Sequence, residues 1–395
     1  MNQSEKNEKK HPYINLPSKF FLTDRGESHF YQRNIPLHEL HSYDGRKGFG
    51  FQWANFNAKI VQKLITKTFF KEICIERFEF LTKRADIIDL TKLIVYALLY
   101  EEAAVDVATI FIKSEMVAML NAKNPRKKIT LESDFNQKIL DDFFKSREDE
   151  LKALHEMMLL DPFVIIDEDK ELKPEEKEMK KNVVRNFINA IDAKSWFLFH
   201  FICKSMEKVD ILSELNTLLI SYLKKTKIAD YVALMLLELA GQAERVSFEK
   251  LARMKKLLGE IEFEEYFASA DNRKKLLDLA EKNNHRMVLD YKFSELMRGQ
   301  SGKHSVLTIT MINPGLMIEK ARREFKEKMD TDTREKGLGD FFKNMPPEKM
   351  AQSGMGMFYL SFLEEACNAE KLKFDARIVC DDKKEETLFI LTLHF

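Results

Sequence analysis

Met287-Val-Leu-Asp-Tyr-Lys-Phe293 and Ser305-Val-Leu-Thr-Ile-Thr-Met311 decide how this chain is read. Both runs have strand length and are rich in β-branched, aromatic and aliphatic residues. The region between them contains Gly299 and Gly302 in a Gly/Ser turn setting. Two similar runs, Phe374 to Cys380 and Thr387 to Phe395, close the chain. Between the pairs a helix is expected over Met317 to Met329, then a loop with Gly337-Leu-Gly339. A further helix is expected from Gly354-Met-Gly356 to about Glu370. With a helix at 272–284 in front, the order is helix–strand–strand–helix–loop–helix–strand–strand, an α+β sandwich of antiparallel pairs.

Upstream the pattern changes. Only Gly241 and Gly259 fall between Phe51 and Arg298, whereas four glycines lie between Gly26 and Gly50 and seven between Gly299 and Gly356. A long segment this poor in turn-formers and rich in Leu, Lys, Glu, Ala and Met is a helical array. One helix is expected from about Ile87 to Leu120 and a second from Ser133 to Leu160, where Asp161-Pro162 should stop it. Pro174 followed by Glu175 and Glu176 reads as a helix start. Segments 195–208, 211–224, 228–241 and 247–258 continue the pattern without a fixed repeat period.

The chain has 395 residues, with 64 basic and 64 acidic side chains. A formal charge of zero excludes a globally basic nucleic-acid binder or an acidic tail protein. No apolar stretch approaches the roughly 18 residues of a membrane span, and the polar start lacks a secretory h-region. Cys74, Cys203, Cys367 and Cys380 are widely spaced, without a C-x-x-C pair. They read as reduced thiols, and the location expected is cytoplasmic.

The C-terminal order resembles the GHKL ATP-binding fold of histidine kinases and anti-sigma-factor kinases. The most similar stretch is Gln352-Ser-Gly-Met-Gly-Met-Phe-Tyr-Leu, followed by a helix and two strands. Paired glycines at a helix start let backbone N–H groups approach a phosphate. The resemblance implies an ATP/Mg site built from Asn313, Gly315, Gly354 and Gly356. Two parts of the family pattern are eroded. Asn313-Pro314-Gly315 stands where D-x-G-x-G is expected, without the adenine-binding aspartate. The upstream helix Lys275-Leu-Leu-Asp-Leu-Ala-Glu281-Lys-Asn-Asn284 has no clean E-x-x-x-N. Glu364-x-x-x-Asn368 has that spacing, but on the helix after the G-x-G. The glycines and Asn313-Pro314-Gly315 also read as ordinary turns.

Near the N-terminus, Gly45-Arg46-Lys47-Gly48-Phe49-Gly50-Phe51-Gln52-Trp53 resembles the RNP1 strand of an RNA-recognition motif, with Tyr13-Ile-Asn-Leu-Pro17 as a loose RNP2 partner. Gln52 and Ala54 depart from the pattern, and residues 1–80 carry 13 basic and 9 acidic side chains, a weak electrostatic footprint. The other reading makes Phe49, Phe51 and Trp53 an aromatic plug. His38-x-x-His41 would chelate a metal only if helical and lacks completing ligands. His200 reads as a core histidine, and Glu101, Glu102 and Asp106 as a solvated helix face. No Walker A loop, G-x-S-x-G or H-E-x-x-H is present, so no catalytic or metal-binding residue is named.

The expected fold is therefore mainly α with a C-terminal α+β domain, a helical array followed by a small antiparallel sheet packed by helices. The expected divisions are a turn-rich segment at 1–53, a helical domain at 54–270 and a GHKL-like domain at 271–395. The expected function is a cytoplasmic regulatory or scaffold protein. Its helical domain would bind a protein partner, and its GHKL-like domain would be degenerate and non-catalytic. Two alternatives stay open: an ATP-dependent protein kinase of the anti-sigma or histidine-kinase type, and an RNA-binding protein using residues 46–53.

Overall fold

A computed structural model describes residues 13–131, 133, 135–170, 172, 174–205, 208–297, 303–317, 323 and 359–395. The chain opens with β1 (Tyr13–Ile14), β2 (Ser18–Leu22), α1 (Asp24–Tyr31), β3 (His38–His41), β4 (Lys47–Trp53), β5 (Phe56–Asn57), α2 (Ala58–Ile65) and β6 (Phe70–Arg77). Helices follow: α3 (Arg84–Lys113), α4 (Glu115–Lys123), α5 (Gln137–Ser146), α6 (Glu148–Glu168), α7 (Pro174–Ala190), α8 (Ala193–Ile202), α9 (Lys208–Met254), α10 (Phe263–Ala268) and α11 (Ala270–Lys282). The last elements are β7 (Met287–Met297), β8 (Lys303–Pro314), α12 (Tyr359–Ala369), β9 (Lys373–Asp381) and β10 (Glu386–His394). The protein is mainly helical, and the C-terminal strands β7–β10 form an antiparallel sheet packed against helices.

That sheet is larger than expected. Its order is β3-β4-β2-β6-β7-β8-β10-β9, so half of its eight strands come from the first 77 residues. The joint is the antiparallel pair β6–β7, from Glu72↔Lys292 to Arg77↔Met287. The division at 53 and 270 therefore does not hold. Residues 1–98 with 228–395 form one compact unit, and residues 99–227 form another. The reason is physical: β6 and β7 satisfy each other's backbone groups, so they cannot belong to separate bodies.

Pairing register sorts the side chains onto two faces. Phe51, Phe20, Ile73, Tyr291, Ile309 and Leu391 stand in one cross-strand row facing the helices. In that row the fully buried Tyr291 hydroxyl lies 2.7 Å from Thr91 Oγ1 on α3. One residue along, Gln52, Lys19, Cys74, Asp290, Thr310 and Ile390 line the opposite face, where Phe21, Leu40, Cys74, Val288 and Ile312 also form a hydrophobic cluster. This period-two alternation is why a one-residue slip would turn the core outward. Beside the sheet, Phe248, Leu251, Leu258, Phe263 and Leu276 pack α9, α10 and α11 together.

Several helix expectations change. The run expected as one helix from Ser133 to Leu160 is two, α5 capped by Asn136 rather than Ser133, and α6 starting after a break at Arg147. The run predicted from Ile87 to Leu120 breaks at Ser114, whose hydroxyl accepts the Val117 N–H and caps α4. Pro162 does not end α6, which continues to Glu168. Met158, Pro162 and Ile166 are buried at helical spacing, and that burial offsets the local cost of an interior proline, about 3 kcal/mol. The segments read as 211–224, 228–241 and 247–258 are largely one 47-residue helix, α9, running through Gly241. The residues 317–329 expected to form a helix lie mostly outside the described residues. Pro174 does start α7.

Among the described residues of the 99–227 unit the regular elements are all helices, with an aromatic core. Phe111 stacks on Phe199 with ring centroids 5.3 Å apart, and His155 on Trp196 at 3.9 Å. Among the described residues no helix is long and apolar enough to cross a membrane.

Candidate functional site

The alternation of β8 places Leu307, Ile309 and Met311 on the core face, and continuing it puts a polar residue, Asn313, in the same row. Asn313 is 0% exposed, and neither its amide oxygen nor its amide nitrogen has a hydrogen-bond partner. A buried primary amide without partners costs roughly 1–3 kcal/mol per orphaned group. The unpaired atoms are one acceptor and one donor, the complement of an adenine edge.

The chain around Asn313 is held tightly. Across the ladder stands Thr387 of β10, also fully buried. Its hydroxyl donates to the Gly315 carbonyl at 2.7 Å and accepts the Met317 N–H at 3.0 Å. The Gly315 N–H donates to the Glu385 carbonyl at 2.8 Å, and Gly315 has φ +143°, a conformation costly for other residues. A Cβ at Gly315 would meet Val246 and Lys250 side chains at 3.4 Å, which shows α9 lying against the turn. Lys250 Nζ also donates to Glu385 Oε2 at 2.7 Å.

Two more buried polar atoms at α9 and the start of β7 lack partners: Ser247 Oγ and His285 Nε2. Burial holds His285 below the usual imidazole value, with the Lys250 ammonium adding to that effect. Backbone groups of Ser247 and Pro314 act the other way. The imidazole is therefore neutral at pH 7 and can accept or donate.

Of the four residues named from sequence, Asn313 and Gly315 sit together at the end of β8. Gly354 and Gly356 lie outside the described residues. The α11 helix supplies no acid–amide pair: Asn284 has left the helix with φ +51°, and its side chain accepts from Arg286 Nε at 2.8 Å. The helix actually against the turn is α9. It carries Glu238 and Gln242 one turn apart, with Gln242 Nε2 donating to Glu238 Oε1 at 3.2 Å. A cavity of about 250 Å³ opens along this part of α9, lined by Gln242, Arg245, Arg84, Arg273 and Phe267 among others. The α9 residues that touch the turn, Val246 and Lys250, lie further along the helix.

The other sequence candidates resolve individually. Phe51 is buried and stacks on Trp53, centroids 4.9 Å apart and planes within 12°, while Phe49 is exposed. His38 and His41 lie on strand β3, where a three-residue spacing points them to opposite faces. His200 is buried, with Nδ1 3.5 Å from a Glu150 oxygen and Nε2 unpartnered. Glu102 pairs with Lys225 at 2.9 Å. Glu364 and Asn368 lie on α12, whose Phe362 stacks on Tyr231 of α9.

No solved structure matches the chain. It is 25% identical over 389 residues to an uncharacterized protein of Treponema pallidum (strain Nichols), covering 97% of this chain and 98% of that one. A family model matches residues 9–395, so the chain belongs to DUF8084, a family of unknown function.

Proposed function

We propose that this protein is a cytoplasmic regulatory or scaffold protein with two separable tasks. The helical unit docks a protein partner, and the sheet unit carries a degenerate, non-catalytic GHKL-like module that senses an adenine nucleotide. The observation that carries the nucleotide reading is Asn313: a fully buried amide with a free donor and a free acceptor. In the resemblance described above this position belongs to the adenine-binding loop, and an amide can pair with the adenine edge where an aspartate is missing. The described order α11–β7–β8, then α12–β9–β10, is compatible with that fold.

On the adenine side, Asn313 offers an amide where the resemblance lacks its aspartate. The metal side fits less well, because Glu281 and Asn284 do not share a helical face and Gln242 is engaged by Glu238. That imbalance favours sensing over phosphoryl transfer. Partner docking is supported by exposed Leu160, Val164 and Ile165 on α6, apolar side chains that its own unit leaves uncovered. Four free thiols, two of them buried, fit a reducing compartment.

A melting titration with Mg·ATP tests the nucleotide reading. One site at 100 times its dissociation constant adds about 2.7 kcal/mol. A shift that Asn313→Leu abolishes is the expected result. No shift at millimolar ATP removes the sensing role and leaves partner docking alone. A shift that survives Asn313→Leu puts the site elsewhere, and transfer of the γ-phosphoryl group of ATP to a protein side chain, with ADP left behind, makes the protein an enzyme of the kinase type.

A further inference from the structure

We propose that Glu72, Cys74 and Asp290 form a site for a thiophilic divalent cation of the zinc class, on the sheet face opposite the helices. Glu72 and Cys74 are two residues apart on β6 and therefore share a face, and Asp290 of β7 is the direct cross-strand partner of Cys74. One ligand atom from each lies within 4.8 Å of the others, and the residues are 4%, 1% and 5% exposed. Asp290 Oδ1 is buried and has no hydrogen-bond partner. A thiolate and two carboxylates are a ligand set that zinc accepts. A tetrahedral ion with these bond lengths needs its ligands roughly 3.5 Å apart, so rotations of the three side chains would close the site. Two hydrogen-bonded strands in mid-sheet hold the backbones rigid, and three protein ligands leave one position open.

Without a cation, neighbouring bases balance the carboxylates. An Arg46 Nη donates to Glu72 at 3.1 Å, and Lys292 Nζ lies 3.2 Å from Asp290. Asp44 pairs with Arg46 at 2.7 Å and approaches Lys292 at 3.9 Å, while Lys19 is paired with Glu76 beside Cys74. Burial, with the Glu72 charge adding, raises Asp290 to about 7, and burial pushes the Cys74 thiol up as well, with Asp290 and Glu76 adding. Cation binding therefore converts the thiol to a metal thiolate and releases its proton to solvent, together with any proton on Asp290. Arg46 and Lys292 swing off the carboxylates. No electron moves, and affinity rises with pH.

Co²⁺ titration of the full-length, reduced chain tests the site. The expected result is one equivalent bound, a thiolate-to-Co²⁺ charge-transfer band in the near ultraviolet, and loss of the band when Zn²⁺ is added. Cys74→Ser should abolish the band, Asp290→Asn should weaken binding by more than about tenfold, and Cys380→Ser should change neither. If Cys74→Ser does not fold, Asp290→Asn carries the same test, with its melt in EDTA reporting the fold. A band that persists in Cys74→Ser, unchanged affinity in Asp290→Asn, or no band in the wild-type chain at about 100 µM Co²⁺, a concentration well above the affinities of structural sites, overturns the proposal.

Discussion

The carboxylate of Glu244 on α9 accepts the backbone N–H groups of both Phe80 and Leu81, the latter at 2.7 Å, although 163 residues separate Leu81 from Glu244. The two donors belong to the stretch between β6 and α3, where a 3₁₀ turn at Leu81–Lys83 leaves N–H groups without helical partners. One buried side chain thus caps the entrance to the long helical part of the chain.

Glu244 is 0% exposed and its second oxygen has no partner, so burial raises its pKa to about 7 despite the two N–H donors. The sign follows from proton binding. Between pH about 4.5 and about 7 the folded state holds a proton at Glu244 that the unfolded state has lost, so the contribution of Glu244 to stability is greatest below that window and falls as pH rises through it, while histidines lowered by burial, such as His155 and His285, act with the opposite sign. Urea unfolding at pH 5 and pH 8 should show this slope, and Glu244→Gln should reduce it. Asp290, raised into the same window, contributes with the same sign, and Asp290→Asn should reduce the slope further. Glu244→Ala should destabilise at both pH values, by about 1–3 kcal/mol for each N–H left unpaired.

Asn313→Leu should stabilise the ligand-free protein while destroying nucleotide recognition. The native amide buries a donor and an acceptor without partners, and replacing it with an apolar group of similar volume removes that penalty, about 1–3 kcal/mol. Paired melts with and without Mg·ATP measure both effects. A destabilised Asn313→Leu would show that the amide is already satisfied.

Thr387 tests the frame around that amide. Its hydroxyl joins the Gly315 carbonyl to the Met317 N–H, so Thr387→Val should cost about 1–3 kcal/mol. Thr387→Ser keeps both bonds and should lose much less. Chemical denaturation of the three proteins gives the comparison, and equal losses for Val and Ser would assign the effect to the methyl group.

Two glycines should respond oppositely to alanine. At Gly50 a Cβ would stand 1.8 Å from the Phe20 carbonyl oxygen, inside the neighbouring strand. Gly50→Ala should therefore part β2 from β4 and cost at least about 3 kcal/mol. At Gly241, within α9, a Cβ meets nothing within 4 Å, and alanine should stabilise by up to about 1 kcal/mol through helix propensity. Thermal unfolding of the two variants separates a glycine required by close packing from one that packing does not require.

How far the site was legible follows the same contrast. Asn313 and Gly315 were visible because a strand-like run ends there in Asn-Pro-Gly. Glu238 and Gln242 were not, because they lie in a helix whose continuity through Gly241 depends on burial of residues such as Leu236, Leu239 and Ala243. Glu72, Cys74 and Asp290 leave no motif, since the ligands join only through the β6–β7 ladder.

What the sequence by itself determined is what a local period can specify. The four C-terminal strands, the helix start at Pro174 and the helical character of the middle all follow from spacing and punctuation within a few residues. The tertiary structure alone decided that β6 pairs with β7, that Pro162 stays inside α6 and that α9 is one helix. Each of these depends on surface buried between distant segments, or on backbone groups satisfied by them. Such terms outweigh the kilocalorie or so of local preference that a sequence window reports. For the same reason the eight-stranded sheet, and the Glu72, Cys74 and Asp290 cluster it assembles from distant parts of the chain, exists only once the chain has folded.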